Sequence, residues 1–274
     1  MNEEFSGDEF LLLGVSAFVA FAGAATWHAA AARVAVLGRP RIHRPVLFSV
    51  PLVCLGLIWV VLARFAAAEV RNSVGYVILF LVAGAAWLTI AGWLFSLLGV
   101  SFREDALERD NPAAAVLVCG AMVAVALTYA SANIGEGPTV WTTLYSALIA
   151  TGWLFVLWLT VELTTEISVA VTVDRDMASG ARLAGLLISL GLISGRAVAG
   201  DWESASATWR DFARDAWPTI LWVLAAVIVE MALRPRPQRP FPSIIQCGVA
   251  PALLYLVAAA GYAWRLGPWN TGAK

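Results

Sequence analysis

The stretch Arg109-Asp110-Asn111-Pro112-Ala113-Ala114-Ala115, with the apolar run that follows it through Cys119 and Gly120 to Ala132, decides the fold because it has a copy. Arg175-Asp176-Met177-Ala178-Ser179-Gly180 leads into a second apolar run through Gly185 and Gly191 to Gly200. The two align without a gap at an offset of 65, with Asp176 under Asn111 and Gly185 under Gly120. Each begins with a residue type that satisfies the free amides of a helix start. Each then offers about 20 apolar residues, the length that crosses hydrocarbon as a helix.

The rest of the chain has the same character. Its 274 residues are 60% hydrophobic and 14% charged, with mean hydropathy +0.78. A soluble domain carries about 25% charged residues. Alternation of period two is absent, which argues against an outer-membrane barrel. The expected fold is all-α: a single polytopic membrane domain of about eight transmembrane helices, with the lipid bilayer as its partner. The net charge of −1 implies no nucleic acid. Lysine occurs only at Lys274, which removes any reading that needs a buried lysine, including a retinal Schiff base in the last helix.

The expected spans cover about 10–32, 45–67, 74–100, 111–132, 139–169, 176–200, 217–233 and 243–264. Pro51 sits one turn inside the second and removes a backbone donor there. The acidic start of the chain lacks the basic region of a signal peptide, so the first span should stay as an anchor. The link 201–216 spaces Trp202, Trp209, Phe212 and Trp217 among charges, which fits either a short helix on the membrane surface or a solvated loop. The links after spans one, three, five and seven, counted with Arg182 near the start of span six, hold eleven arginines, namely Arg33, Arg39, Arg41, Arg44, Arg103, Arg109, Arg175, Arg182, Arg234, Arg236 and Arg239, against seven basic residues on the other side. That bias places both termini outside and the Asn111 and Asp176 caps at the cytoplasmic face.

Spans three–four (74–132) and five–six (139–200) read as two copies of one hairpin: Gly92-Trp93-Leu94-Phe95 recurs as Gly152-Trp153-Leu154-Phe155. Spans seven–eight (217–264) read as a degenerate third copy, with Pro240, Cys247 and Gly248 under Pro112, Cys119 and Gly120 at offset 128. Spans one–two (10–67) share little with them beyond Arg44-Pro45. Two-helix copies enter the membrane in one orientation, so these would be parallel repeats. Gly120 with Ala124, Gly180 with Ala184 and Gly191 with Gly195 put small residues four apart, and Gly185 lies within the same run. That spacing lets helix backbones approach closely in lipid. Such packing also permits a homo-oligomer or association with other membrane subunits.

Ionisable residues inside spans are costly and often functional. Glu162 and Glu166 lie four apart in span five, Arg182 lies inside span six, and Glu230 ends span seven. A plain reading holds all four at the interface, with Glu166 paired to Arg182. A sharper one has Glu162, Glu166 and Glu230 ringing a cytoplasmic cation vestibule, with Arg182 as counter-charge. Cys54, Cys119 and Cys247 lie singly in apolar runs, as small core residues do. His28 and His43 are fifteen apart, more like interfacial residues than metal ligands. Nucleophile–base, P-loop and dinucleotide motifs are absent, so neither a catalytic residue nor a cofactor is expected.

The Arg109–Ala115 run with its small-residue helix resembles the signature of the family called domain of unknown function 350. Asp174-Arg175-Asp176-Met177-Ala178-Ser179-Gly180 is similar to that family's second motif, with Asp176 where asparagine is usual. The resemblance is closest over 74–200 and weaker to 264. It implies a bacterial or archaeal multi-pass membrane protein whose relatives often neighbour genes for polyamine aminopropyltransferases, ATP-dependent amide ligases or membrane-stress proteins. A scaffold or subunit linked to polyamine or envelope-stress systems is the function this implies; a small-cation channel or carrier is the alternative. It assigns no catalytic residue.

Overall fold

A computed structural model describes residues 5–36, 43–235 and 243–267, with the side chains of 33–36 left out. Arg39, Arg41, Arg236, Arg239, Pro240 and Lys274, used in the reading above, lie outside the described residues, as does the Arg33 side chain.

Apolar length decides the elements. Eleven α-helices are described: α1 (Gly7–Val36), α2 (Arg44–Phe65), α3 (Ala68–Asn72), α4 (Val74–Leu94), α5 (Pro112–Ala132), α6 (Val140–Thr165), α7 (Ile167–Thr172), α8 (Met177–Val198), α9 (Ala205–Ala216), α10 (Thr219–Leu233) and α11 (Ala250–Arg265). A 3₁₀ turn, Phe95–Leu98, extends α4, and π-helical turns Phe102–Glu108 and Ile244–Val249 precede α5 and α11. Among the described residues eight helical stretches are long and apolar enough to cross a membrane, at Gly7–Ala32, Arg44–Phe65, Val74–Leu98, Pro112–Ala132, Val140–Thr165, Met177–Val198, Ala205–Leu233 and Ile244–Arg265. The seventh is longer than the sequence suggests. The 201–216 link holds α9, which turns through Trp217-Pro218 into α10 and packs on α8, with Ala207, Phe212 and Ala216 buried.

The spans form two rows. In one, α2 packs on α5, α5 on α8 and α8 on α11; in the other, α1 packs on α4, and α10 on α6. α6 bridges α5 and α8. Along α5, α8 and α11 later residues of one helix meet later residues of the next. A Cβ built on Gly180 meets Ala113, on Gly191 Ala124 and on Gly195 Leu127 and Ser131, while Gly248 meets Ala178 and Gly185 meets Ala252. α5, α8 and α11 therefore run parallel. The second row opposes the first: Tyr129 of α5 donates to the Phe80 carbonyl of α4 at 2.8 Å, whereas Met122, earlier in α5, faces Gly92, later in α4.

Several local features recur about 65 positions along. Asp110 and Arg175, just before the two caps, both have left-handed backbone, at φ 54° and 57°. Gly135 and Gly200, 65 positions apart, both have positive φ and press together, with Gly200 N donating to the Ile134 carbonyl at 2.9 Å. Trp87 Nε1 donates to Thr151 Oγ1 at 3.1 Å, and Trp153 Nε1 donates to Thr219 Oγ1 at 2.9 Å. The contacts Gly120–Ala184 and Ala113–Gly180 reappear as Gly185–Ala252 and Ala178–Gly248. These contacts set Gly248 opposite Ala178 as Gly180 sits opposite Ala113, so α11 matches α8 at an offset of 68. The glycine-and-cysteine alignment at offset 128 from α5 gives a different register, in which Gly248 matches Gly120.

The Pro51 defect is repaired from outside α2. Proline offers no amide to the carbonyl four residues back. That carbonyl, on Leu47, instead accepts from Trp27 Nε1 of α1 at 2.9 Å. Trp27→Phe should cost about 1–3 kcal/mol, the penalty of an unsatisfied buried acceptor. In a Pro51→Ala background the loss should shrink, because alanine at that position supplies the missing amide. Unfolding midpoints in detergent of the parent, the two single variants and the double variant measure this coupling.

Candidate functional site

Four polar groups meet inside the bundle where α8, α10 and the π-helical turn converge. Arg182, two turns into α8, is 3% exposed, Glu230 of α10 is 2% exposed and Ser179 is fully covered. Arg182 Nε donates to Glu230 Oε2 at 2.9 Å and Nη2 to the same oxygen at 2.7 Å. Nη2 also donates to Ser179 Oγ at 2.8 Å, and that hydroxyl donates to Glu230 Oε1 at 3.0 Å. Nη1 donates to the Cys247 carbonyl, in the π-helical turn. Two opposite charges in lipid lose their hydration, and only close geometry with extra hydrogen bonds compensates them. Here both carboxylate oxygens and all three guanidinium nitrogens are engaged.

The other two glutamates stand elsewhere. Glu162 Oε2 accepts from Ser168 N at 3.0 Å and Oε1 accepts from Ser168 Oγ at 2.6 Å. It therefore caps the start of α7, where free amides favour an anion. Glu166 is exposed and forms the break between α6 and α7, with left-handed φ of 49°. The structure thus brings Arg182 and Glu230 together, and among the described residues no hydrogen bond or ion pair joins Glu162 or Glu166 to them. Arg182 pairs with Glu230 instead of Glu166, because Glu166 lies on the helix break and α10 packs directly on α8.

The caps differ in what they reach. Asn111 is fully buried. Its Oδ1 accepts from Ala113 N at 3.0 Å and Ala114 N at 3.3 Å, while Nδ2 donates to the Val171 carbonyl at 2.8 Å. It ties the start of α5 to the end of α7. Asp176 accepts from Ala178 N at 3.2 Å and Ser179 N at 2.8 Å, and its carboxylate has acceptors only. Asn111→Asp removes the donor and sets a carboxylate against a buried carbonyl, so we expect a loss of about 1–3 kcal/mol or more. Asp176→Asn keeps the acceptor and should be close to neutral. Unfolding in detergent separates the two.

Sequence reasoning missed a polar cavity of about 590 Å³ at the end of the bundle where α5, α8 and α11 finish beside α9. Glu136, Asp201, Glu203, Asp211 and Asp215 line it, with Arg196, Arg214 and Arg265. The signal was present in the charges between Trp202 and Trp217, but no periodicity tied them to Glu136, whose amide donates to Asp201 Oδ1 at 2.9 Å.

The remaining sequence candidates have local partners. His28 Nδ1 lies 2.8 Å from the Ala24 carbonyl, and His43 Nε2 lies 3.1 Å from Asp110 Oδ1 and from the Ala106 carbonyl. Cys54 and Cys247 are buried and Cys119 is half-buried, all as free thiols. Among the described residues no cluster of three or more His, Cys, Asp or Glu is placed to hold a metal ion.

No curated protein and no solved structure matches the chain. A family model described as Domain of Unknown Function (DUF350) matches residues 52–198, from inside α2 to the end of α8. That match spans more than half of the chain and includes both caps and the α5–α8 glycine contacts; this multi-pass membrane protein belongs to the DUF350 family.

Proposed function

We propose that the protein is a non-enzymatic scaffold or subunit of a membrane complex, built from parallel two-helix repeats in the cell (inner) membrane, with both termini outside. The use of the intramembrane charges supports this reading above all. Arg182 and Glu230 neutralise each other, and Glu162 is spent on a helix start. Side chains committed this way hold helices in place and leave little charge for a moving substrate. The recurring contacts at offsets near 65 support the repeats, and the arginine bias supports the orientation. The partners are the bilayer and either further copies or other membrane subunits. The link to polyamine or envelope-stress systems rests on the family resemblance.

Flux in reconstituted vesicles and co-purification test the proposal together. The scaffold reading expects no cation flux above that of empty vesicles, unchanged by Glu162→Gln, and an intact protein partner recovered with the chain. Cation-selective flux abolished by Glu162→Gln would replace it with the channel or carrier.

A further inference from the structure

A second cavity lies between α1, α2 and α4, with a volume of about 690 Å³ and a lining that is mostly apolar. It follows α1 from Ala20 to Ala30 and α4 from Ala85 to Ser96, with Met122 of α5 among its lining residues. At 1.5 Å per helical residue it runs roughly 15 Å deep, which is about the thickness of one hydrocarbon leaflet. Small residues keep it open. Gly92 lines it, and a Cβ built there has only Met122 Sδ near it, at 3.9 Å.

Among the described lining residues charge sits at one end only. Arg103 and Glu108, from the π-helical turn before α5, line the rim, with side chains 69% and 48% exposed. Arg103 Nε donates to Glu108 Oε1 at 2.8 Å, and among the described residues its terminal nitrogens carry no further bond. Phe102, next to Arg103, stacks on Trp27 with ring centroids 3.3 Å apart, which fixes the rim to α1. A transmembrane helix is a poor occupant: at about 10 Å across, a volume of this size holds on the order of six residues of one. An acyl chain is thinner, and it brings a polar headgroup to the same end as the charges.

We propose that this groove holds an acyl chain of a zwitterionic phospholipid of the phosphatidylethanolamine class, with its phosphate at Arg103 and its ammonium at Glu108. The adjacent opposite charges match a headgroup carrying both signs. An anionic headgroup would meet Glu108 without a cation to offer it. The site is independent of the scaffold reading above.

The test uses the full chain in vesicles that mix phosphatidylethanolamine with phosphatidylglycerol. A phosphatidylethanolamine bearing a photoactivatable acyl chain should label α1 and α4 within residues 20–30 and 85–96. Native mass spectrometry after mild delipidation should find phosphatidylethanolamine retained by the unaltered chain. It should be lost in Gly92→Leu, which fills the groove, and Glu108→Gln should shift the retained class toward phosphatidylglycerol. Labelling spread over all lipid-facing helices overturns the proposal, as does retention unchanged in a folded Gly92→Leu. The photolabelling arm does not depend on the variants, so it decides the matter if Gly92→Leu fails to fold.

Discussion

Replacing Arg182 with alanine is expected to cost about 3–5 kcal/mol of folding stability, because it strands Glu230 as a buried, uncompensated charge. The pair is almost completely covered, at 3% and 2% exposure, and spans three elements: α8, α10 and the turn that leads into α11. Glu230→Ala should be comparably severe, since it leaves the guanidinium with Ser179 and one carbonyl. The double replacement Arg182→Met with Glu230→Met should recover most of the loss, because apolar side chains of similar volume in place of a buried ion pair are often neutral or stabilising. Ser179 then bonds its own helix carbonyl, as serine does in such positions. Unfolding in detergent of the parent, Arg182→Met, Glu230→Met and the double methionine variant gives the coupling directly. If the singles are mild or the double merely adds their losses, the pair does not lock these elements.

The second large effect is expected at the α5–α8 contact. A Cβ on Gly191 lies 2.6 Å from the Ala124 carbonyl oxygen, and one on Gly180 lies 2.7 Å from that of Ala113. The obstacle is backbone in both cases, so neither helix can yield by turning a side chain. Gly191→Ala and Gly180→Ala should each cost about 1–3 kcal/mol or more through overpacking. Gly152 of α6 is the control, with nothing within 4 Å of its built Cβ. There alanine should be neutral or stabilise by up to about 1 kcal/mol, from its better helix propensity. Unfolding midpoints in detergent should therefore fall for Gly191→Ala and Gly180→Ala and hold or rise for Gly152→Ala.

The spans were legible because crossing hydrocarbon demands apolar length, and length can be read without tertiary knowledge. The starts of α5 and α8 fell directly after Asn111 and Asp176, since a capping residue before an alanine-rich run specifies its boundary. The glycines Gly120, Gly180, Gly185, Gly191 and Gly195 could be singled out by spacing, but which neighbour each one meets could not. The register of α11 depends on the π-helical turn Ile244–Val249, a wider turn that no composition signals. The pairing of the charges was hidden for a different reason. Arg182 is nearer in sequence to Glu166 than to Glu230, and only the packing of α10 on α8 reverses that order. The partner of Glu162 was not legible either: Ser168 belongs to a helix that restarts after a break, and that break rests on the left-handed backbone of Glu166.

α8 is clasped between α5 and α11 with backbones nearly touching, in the register those contacts define. A disulfide tests it, because the geometry a disulfide accepts is narrow, with Cβ atoms about 3.5–4.5 Å apart. A Cβ built on Gly248 lies 3.4 Å from the Ala178 Cβ and 2.9 Å from the Ala178 Cα, so the pair is near enough to bridge once the two backbones ease apart by a few tenths of an ångström. In a chain whose native cysteines are replaced, Ala178→Cys with Gly248→Cys should close within one chain on mild oxidation, and Ala178→Cys with Ser243→Cys should stay reduced. Closure of the Ser243 pair, with the Gly248 pair left open, would contradict the packing of α11 on α8 and the register drawn from it.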